Sequence, residues 1–247
     1  MAQGNEKIRI LLAPAEPDLS RRVEQLLQKD DRFTVVGSTT NGEQAWQMFQ
    51  QYLPALTVLD SELPYLDGLV LSARIRAEKG REAGILLISS FMGAQIFGEC
   101  ELLKIDALMR KPLRPAALYE RICLLEKCMR QEDAFRQRVA QILREIGMAE
   151  GTKGYQYTLW VICYYRKVRG AGITKEIYPI VAKELNTEQH KVERNMRYAI
   201  SRVWEQCDPK ILEKYFGPER VKQCKSIGNR AFCAALINYL KQEEKLW

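Results

Sequence analysis

Apolar and polar positions change rhythm about halfway along the chain. Up to about residue 130, short apolar runs alternate with segments of helical period. Ile8–Leu12, Phe33–Thr39, Leu56–Leu59, Ile85–Ser89 and Ala107–Met109 read as strands. Between and after them, Asp18–Gln28 puts Leu19, Val23, Leu26 and Leu27 on one side of a helix. Glu43–Gln51, Leu66–Ala77, Ala94–Leu103 and Ala116–Met129 read as further helices. Largely apolar strands alternating with helices predict a doubly wound α/β unit, a five-stranded parallel sheet covered on both faces. Farther along, only helical periods appear. Ala134–Ile146 ends at Gly147, and Gly154–Lys167 follows. A turn at Gly170–Gly172, a helix opened by Asp208-Pro209 and a terminal helix capped by Asn229 complete an all-α unit. The expected boundaries are 1–130 for the α/β unit, 131–134 for a short linker or a continuation of the helix, and 135–247 for the helical unit.

Within the helical unit, Thr174–Gln206 carries the sharpest pattern. Pro179 suits a first helical turn, where its missing N–H costs nothing. Ile180, Val181, Ala182 and Leu185 supply that helix's apolar content, and Asn186-Thr187 breaks it. Asn186 is expected to cap the next helix, with Gln189 reaching back three residues later. From Glu188 to Trp204, Val192, Met196, Ala199 and Val203 share one face, with Ile200 at its margin. His190, Arg194, Arg197 and Ser201 fall opposite, flanked by Lys191, Glu193 and Tyr198. Two helices joined by a short turn, the second presenting basic and polar side chains, is a helix-turn-helix arrangement that reads duplex DNA. Arg pairs bidentately with guanine, Lys191 and Ser201 suit phosphates, and Glu193 either accepts from cytosine N4 or pairs with Arg197.

Charge agrees with that placement. Residues 1–130 hold 17 basic and 17 acidic side chains, so the whole net charge of +7 falls on the helical half. Lys222, Lys225 and Arg230 form a basic loop that either touches phosphates or is merely solvated. Tyr155, Tyr157, Trp160, Tyr164 and Tyr165 read as the core bracing the helix-turn-helix, with a stacking platform for single strands as the alternative.

In the first half, Asp60, Ser89 and Lys111 stand at the carboxyl ends of the third, fourth and fifth strands, where ligands of such sheets bind. A carboxylate acceptor, a hydroxyl and a balancing ammonium form a phosphoryl-transfer set. Its bland counterpart is an Asp60–Lys111 ion pair with Ser89 as a local hydrogen-bonding group.

The pieces TVLDSELPYLDG, LLISS and MRKP in order resemble a two-component receiver domain over about Lys7 to Arg130. The stretches ITKEIYPIVAKELNT, KVERNMRYAISRVW, IGMAEGTKGYQYTLW and NRAFCAALINYLKQE resemble the effector domain of the stage-zero sporulation response regulators, from about Phe135 onward. The resemblance implies that Lys191, Glu193, Arg194 and Arg197 make major-groove and backbone contacts. Tyr198 stands where that family has histidine and His190 where it has a small polar residue, which bears on the base preference. Receivers also carry two adjacent acidic residues after the first strand, and these hold Mg²⁺. Here IRILLA runs into Pro14-Ala15, and Leu108 replaces the aromatic switch residue. A degenerate receiver is therefore expected, without a cofactor, and Asp60 is phosphoacceptor-like rather than an efficient acceptor.

The resulting expectation is a two-component-type transcription regulator related to the control of sporulation, not an enzyme, that binds duplex DNA. Homodimerisation on paired half-sites and contact with a phosphorelay or sensor protein are the expected associations, with protein contact, another ligand or concentration as the signal. Two alternatives stay open. One is an interaction protein that docks on phosphorelay partners or on a family member. The other is a fully phosphorylatable regulator using Asp60 with Mg²⁺ held by Glu16 and Glu62. No apolar run approaches a membrane span and MAQGNEKIRI lacks an apolar signal core, so a cytoplasmic location without membrane contact is expected. The seven cysteines lack C-x-x-C spacing, which argues against a zinc site or disulfide framework. The single histidine lies on the DNA-facing stripe and no nucleophile has an evident base partner, which sets classical enzymes aside.

Overall fold

The computed structural model describes residues 7–80, 82–168, 172–224 and 226–244. The chain divides into two compact units, 1–130 and 131–247.

In the first unit the strands are β1 (Ile8–Ala13), β2 (Phe33–Ser38), β3 (Leu56–Asp60), β4 (Gly84–Ser89) and β5 (Ala107–Arg110). They pair in parallel in the order β2-β1-β3-β4-β5. β3 and β4 are buried at every position, as continuous apolar strands must be when helices cover both faces. The helices are α1 (Pro17–Gln28), α2 (Gly42–Tyr52), α3 (Gly68–Lys79), α4 (Ala94–Leu102) and α5 (Pro115–Glu145). Ile10, Leu12, Val58, Leu86 and Ile88 pack against Leu19, Val23 and Leu27 of α1 and Leu118 and Ile122 of α5. Leu11, Leu59, Ile85 and Leu87 point the other way, toward α2, α3 and α4. Leu108 stays partly buried with this second group.

Local chemistry sets the helix starts near the sheet's carboxyl edge. α3 begins at Gly68 rather than Leu66, because the Asp67 carboxylate accepts from the N–H groups of Leu69 and Val70, each at 3.0 Å. A Cβ on Gly68 would stand 2.2 Å from the Asp60 carbonyl oxygen, so only glycine permits this approach to the strand end.

Residues 131–134 lie within α5, which carries Phe135, Val139, Ile142 and Leu143 into the core of the second unit. The helix stops in a Schellman motif. Gly147 has φ +82°, its N–H reaches the Arg144 carbonyl at 2.8 Å, and the Met148 N–H reaches Leu143 at 2.9 Å. The second unit continues with α6 (Lys153–Lys167), a π-helical turn (Ile173–Ile177), α7 (Tyr178–Glu184), α8 (Gln189–Gln206), α9 (Pro209–Phe216), α10 (Pro218–Gln223) and α11 (Asn229–Glu244). The predicted turn at Gly170–Gly172 lies mostly outside the described residues. Tyr155, Tyr157 and Tyr164 are buried in the core, and Trp160 and Tyr165 pack against it; these aromatics are scaffold, not an exposed stacking platform.

Three sequence expectations change here. Asn186 does not cap α8. It is the left-handed residue of a second Schellman motif that ends α7, with φ +45°. The Thr187 N–H reaches Ala182 at 2.8 Å and the Asn186 N–H reaches Lys183 at 3.4 Å. Glu188 occupies the N-cap position without a side-chain cap, and Gln189 donates to the Thr174 carbonyl at 2.7 Å instead. Second, Ile200 is fully buried, and Ala199, which meets α6 at Gly154, is partly buried. Third, Asn229 does not cap α11; its amide donates to the Tyr178 hydroxyl at 2.8 Å and the Glu193 carbonyl at 3.2 Å, tying the terminal helix to α7 and α8.

Candidate functional site

The structure brings Asp60 and Lys111 together and shows Ser89 in a local hydrogen bond. Asp60 ends β3 with 1% of its side chain exposed, and Lys111 follows β5 with 13% exposed. The Lys111 Nζ lies 2.8 Å from Asp60 Oδ2. The same oxygen accepts the Ala15 N–H at 3.0 Å, and Oδ1 accepts the Glu62 N–H at 3.0 Å. Both carboxylate oxygens are therefore engaged by donors. Ser89 is buried, and its Oγ accepts the Phe91 N–H at 3.1 Å, which holds the loop after β4.

A further side chain, Glu62, completes the cluster. Its Oε2 accepts from Lys111 Nζ at 2.9 Å and from the Ser90 hydroxyl at 3.1 Å, and 37% of its side chain remains exposed. The hydrogen bond from Lys111 holds the Glu62 carboxyl below its ordinary range, against the opposing effect of burial, and Ser90 adds to it. Burial works against the Lys111 ammonium, but hydrogen bonds to Asp60 and Glu62 outweigh it and raise its pKa. The only sequence signal for this contact is a carboxylate two residues past the strand-end Asp; Ser90 carried none.

Mg²⁺ does not fit this donor set. Pro14 and Ala15 offer no side-chain oxygen, and Ala15 aims an N–H at Asp60 where a cation would need a lone pair. Glu62 is committed to Lys111 and Ser90, and Glu16 is an exposed residue at the start of α1.

The second site is the outer face of α8. α7 and α8 pack on α6, where a Cβ on Gly154 would meet the Ala199 Cβ at 2.6 Å and the Asn195 carbonyl oxygen at 2.9 Å. Val192, Met196, Ile200, Val203 and Trp204 anchor α8 inward. His190, Lys191, Arg194, Arg197 and Tyr198 are exposed, and Ser201 is half-buried. Tyr198 is 65% exposed, with the Arg202 guanidinium carbon 6.0 Å from its ring centroid.

Several of these groups are held by neighbours on the same helix. Glu193 accepts from Arg197, Lys191 Nζ lies 2.6 Å from Glu188, and His190 Nδ1 lies 3.2 Å from the other Glu188 oxygen. Ser201 donates to Glu205 at 3.0 Å. Among the described residues Arg194 has no carboxylate partner. Lys222 and Arg230 are exposed; Lys225 lies outside the described residues.

Comparison with known proteins matches both units. Residues 10–123 match the family model of the response regulator receiver domain. Residues 139–240 match that of the sporulation initiation factor Spo0A C terminal. Among solved structures, the chain is similar to a DNA-binding response regulator of the LuxR family from Staphylococcus aureus, with 24% identity over 48% of this chain and 98% of that one and a TM-score of 0.44. The receiver domain of the putative response regulator NarL from Mycobacterium tuberculosis gives 22% identity over 49% and 98%, with a TM-score of 0.45. The receiver domain of AraT from Geobacillus stearothermophilus gives 23% over 52% and 99%, with a TM-score of 0.45. No helix among the described residues is long and apolar enough to cross a membrane.

Proposed function

We propose that this chain, which belongs to the stage-zero sporulation response regulator family by its receiver domain and its sporulation-type effector domain, is a cytoplasmic transcription regulator that reads duplex DNA through α8 and is not switched by Mg²⁺-dependent phosphorylation of Asp60. The observation that carries the DNA reading is the outer stripe of α8, on which Arg194 stands, among the described residues, without a carboxylate partner beside Arg197, Lys191, Ser201 and the exposed Tyr198. Arg194 has the fork of donors that matches guanine O6 and N7. Glu193 pairs with Arg197 in the free protein; on DNA that pair opens, freeing the guanidinium for a base or phosphate and the carboxylate for cytosine N4. Lys191, His190 and Ser201 sit where backbone phosphates pass the helix.

The engaged carboxylate supports the second half of the reading. To attack a phosphoryl donor, Asp60 needs a free oxygen and a cation to gather the incoming charge. Its oxygens instead take two backbone N–H groups and Lys111, and the metal-holding pair is replaced by Pro14 and Ala15. Regulation then comes from a protein partner, another ligand or concentration, and a homodimer on paired half-sites fits the symmetry of such sites.

Binding of the full chain to a duplex it selects from a random pool tests the α8 assignment. Arg194→Ala is expected to cost about 1–3 kcal/mol of specific affinity and to relax selectivity at one base position. Lys191→Ala is expected to weaken all duplexes alike and to reduce the salt dependence. Unchanged affinity and selectivity for Arg194→Ala at fixed salt would remove α8 as the reading helix. An interaction-only protein would show equal, weak affinity for every duplex.

A further inference from the structure

Lys111 stands between two carboxylates, and the outer one occupies the place a ligand anion would take. We propose that the receiver unit contains a built anion site, formed by Lys111 and the Ser90 hydroxyl above Asp60, and that the Glu62 side chain is its resident anion. Glu62 thus replaces an exogenous phosphate-type group rather than waiting for one.

The geometry has three parts. Glu62 Oε2 collects both donors, Lys111 Nζ at 2.9 Å and Ser90 Oγ at 3.1 Å. These come from the ends of two paired strands, after β5 and after β4, and the Glu62 carboxylate from the end of β3 joins them. The same ammonium also holds Asp60 Oδ2 at 2.8 Å, which puts the Glu62 carboxylate and the Asp60 carboxylate on one cation. A tetrahedral oxyanion bound to that ammonium beside Asp60 would need the same hydroxyl and the same Nζ proton.

Charge explains why the occupant excludes a second anion. Asp60, Glu62 and Lys111 sum to one negative charge when all are ionised. A phosphoryl group brings about −1.5 to −2 more. With no carboxylate-held cation beside Ala15, nothing offsets that addition. If the Glu62 carboxylate is removed, the cluster becomes neutral, Ser90 loses its acceptor and Lys111 keeps only Asp60. Small anions then find a preformed place. Glu62 is partly exposed and belongs to no core, so removing its side chain leaves the sheet intact.

The proposal rests on the DNA-binding reading only for its consequence: the filled site holds the loops after β3 and β4 in one arrangement, and the full chain binds DNA in that arrangement without phosphate. The experiment uses full-length wild type, Glu62→Ala and Glu62→Ala with Ser90→Ala, with inorganic phosphate as the probe. Calorimetric titration is expected to show saturable phosphate uptake by Glu62→Ala, none by wild type, and at least about tenfold weaker uptake when Ser90→Ala is added. In parallel, DNA affinity of Glu62→Ala should fall about tenfold and recover when phosphate is added, at ionic strength held constant with chloride. Recovery by an added anion separates occupancy from simple structural damage.

Wild type binding phosphate as tightly as Glu62→Ala would overturn the proposal, because the site would then not be filled. So would a folded Glu62→Ala that takes no phosphate. If Glu62→Ala takes phosphate but no variant, wild type included, binds any duplex, the anion site stands and the DNA-binding reading fails.

Discussion

Replacing Lys111 by methionine probes what Asp60 is doing. The change keeps most of the length of the side chain and removes its charge. Asp60 then keeps the Ala15 and Glu62 N–H bonds but loses its cation while almost wholly buried. A buried charge left without its partner costs roughly 3–5 kcal/mol, and the two remaining N–H donors bring the expected loss to about 2–4 kcal/mol. The pH profile carries a sign. The Lys111 pKa is raised above 10.5, so its contribution is complete below that value and is lost as pH rises through the folded pKa. The Glu62 pKa is lowered below 4.5, so its contribution is present above that value and is lost as pH falls through the folded pKa. The Lys111→Met deficit is therefore widest between these limits and shrinks toward acid, as Glu62 takes up its proton. Native-state hydrogen exchange at β3 and β4 amides reads the receiver unit by itself. A loss under about 1 kcal/mol at neutral pH, or a deficit that grows toward acid, would refute the view that Asp60 is held as an ion pair.

Three other outcomes follow from the packing of the helical unit. Gly154→Ala forces a methyl against Ala199 and the Asn195 carbonyl, and should destabilise the unit by about 1–3 kcal/mol in denaturant unfolding while weakening DNA binding with it. Cys233 is fully buried and burial pushes its thiol far up, so it should resist alkylation in the native protein, while the exposed Cys128 and Cys224 react; mass mapping after brief labelling checks this. The hydrogen bond from Tyr215 lowers the Glu145 pKa below 4.5, so that bond stabilises the unit above this value and fades as pH falls through the folded pKa; Tyr215→Phe should flatten the acid limb of a pH–stability curve.

The α/β unit was readable because its strands are apolar without interruption and its helices keep one apolar side, so period and length alone separate the two. Asp60 and Lys111 were readable for the same reason, since strand ends in a parallel sheet converge by construction. Glu62 was readable only as a carboxylate near Asp60, not as the partner of Lys111, and Ser90 was not readable at all. Glu62 reaches Lys111 only because the turn after β3 sends its side chain back over the strand end, and Ser90 joins it from another loop. Of the two readings open for Ser89, the local one matches the contact seen, its oxygen accepting the Phe91 N–H within the turn.

On α8 the apolar stripe was placed to within one position. Ile200 and Ala199 lie a single 100° step apart and both face the core, Ile200 fully buried and Ala199 partly buried against Gly154 of α6. Asn186 is an ambiguous letter: its side chain suits an N-cap, but its tolerance of positive φ suits a helix end equally well. The chain used the second property, because the Thr187 N–H had the Ala182 carbonyl within reach. Asn229 was legible as polar and near a helix start, but its bonds to Tyr178 and the Glu193 carbonyl depend on contacts far apart in sequence.

The proposed regulator reads DNA without an aspartyl phosphate. The most direct measurement is the intact mass of the purified full chain after incubation with acetyl phosphate and Mg²⁺, beside Asp60→Asn, with duplex binding recorded on the same samples. The account predicts no phosphoryl adduct on either protein and undiminished DNA binding by the wild type. An adduct on wild type that is missing from Asp60→Asn, with DNA binding that appears only when the adduct forms, would contradict it.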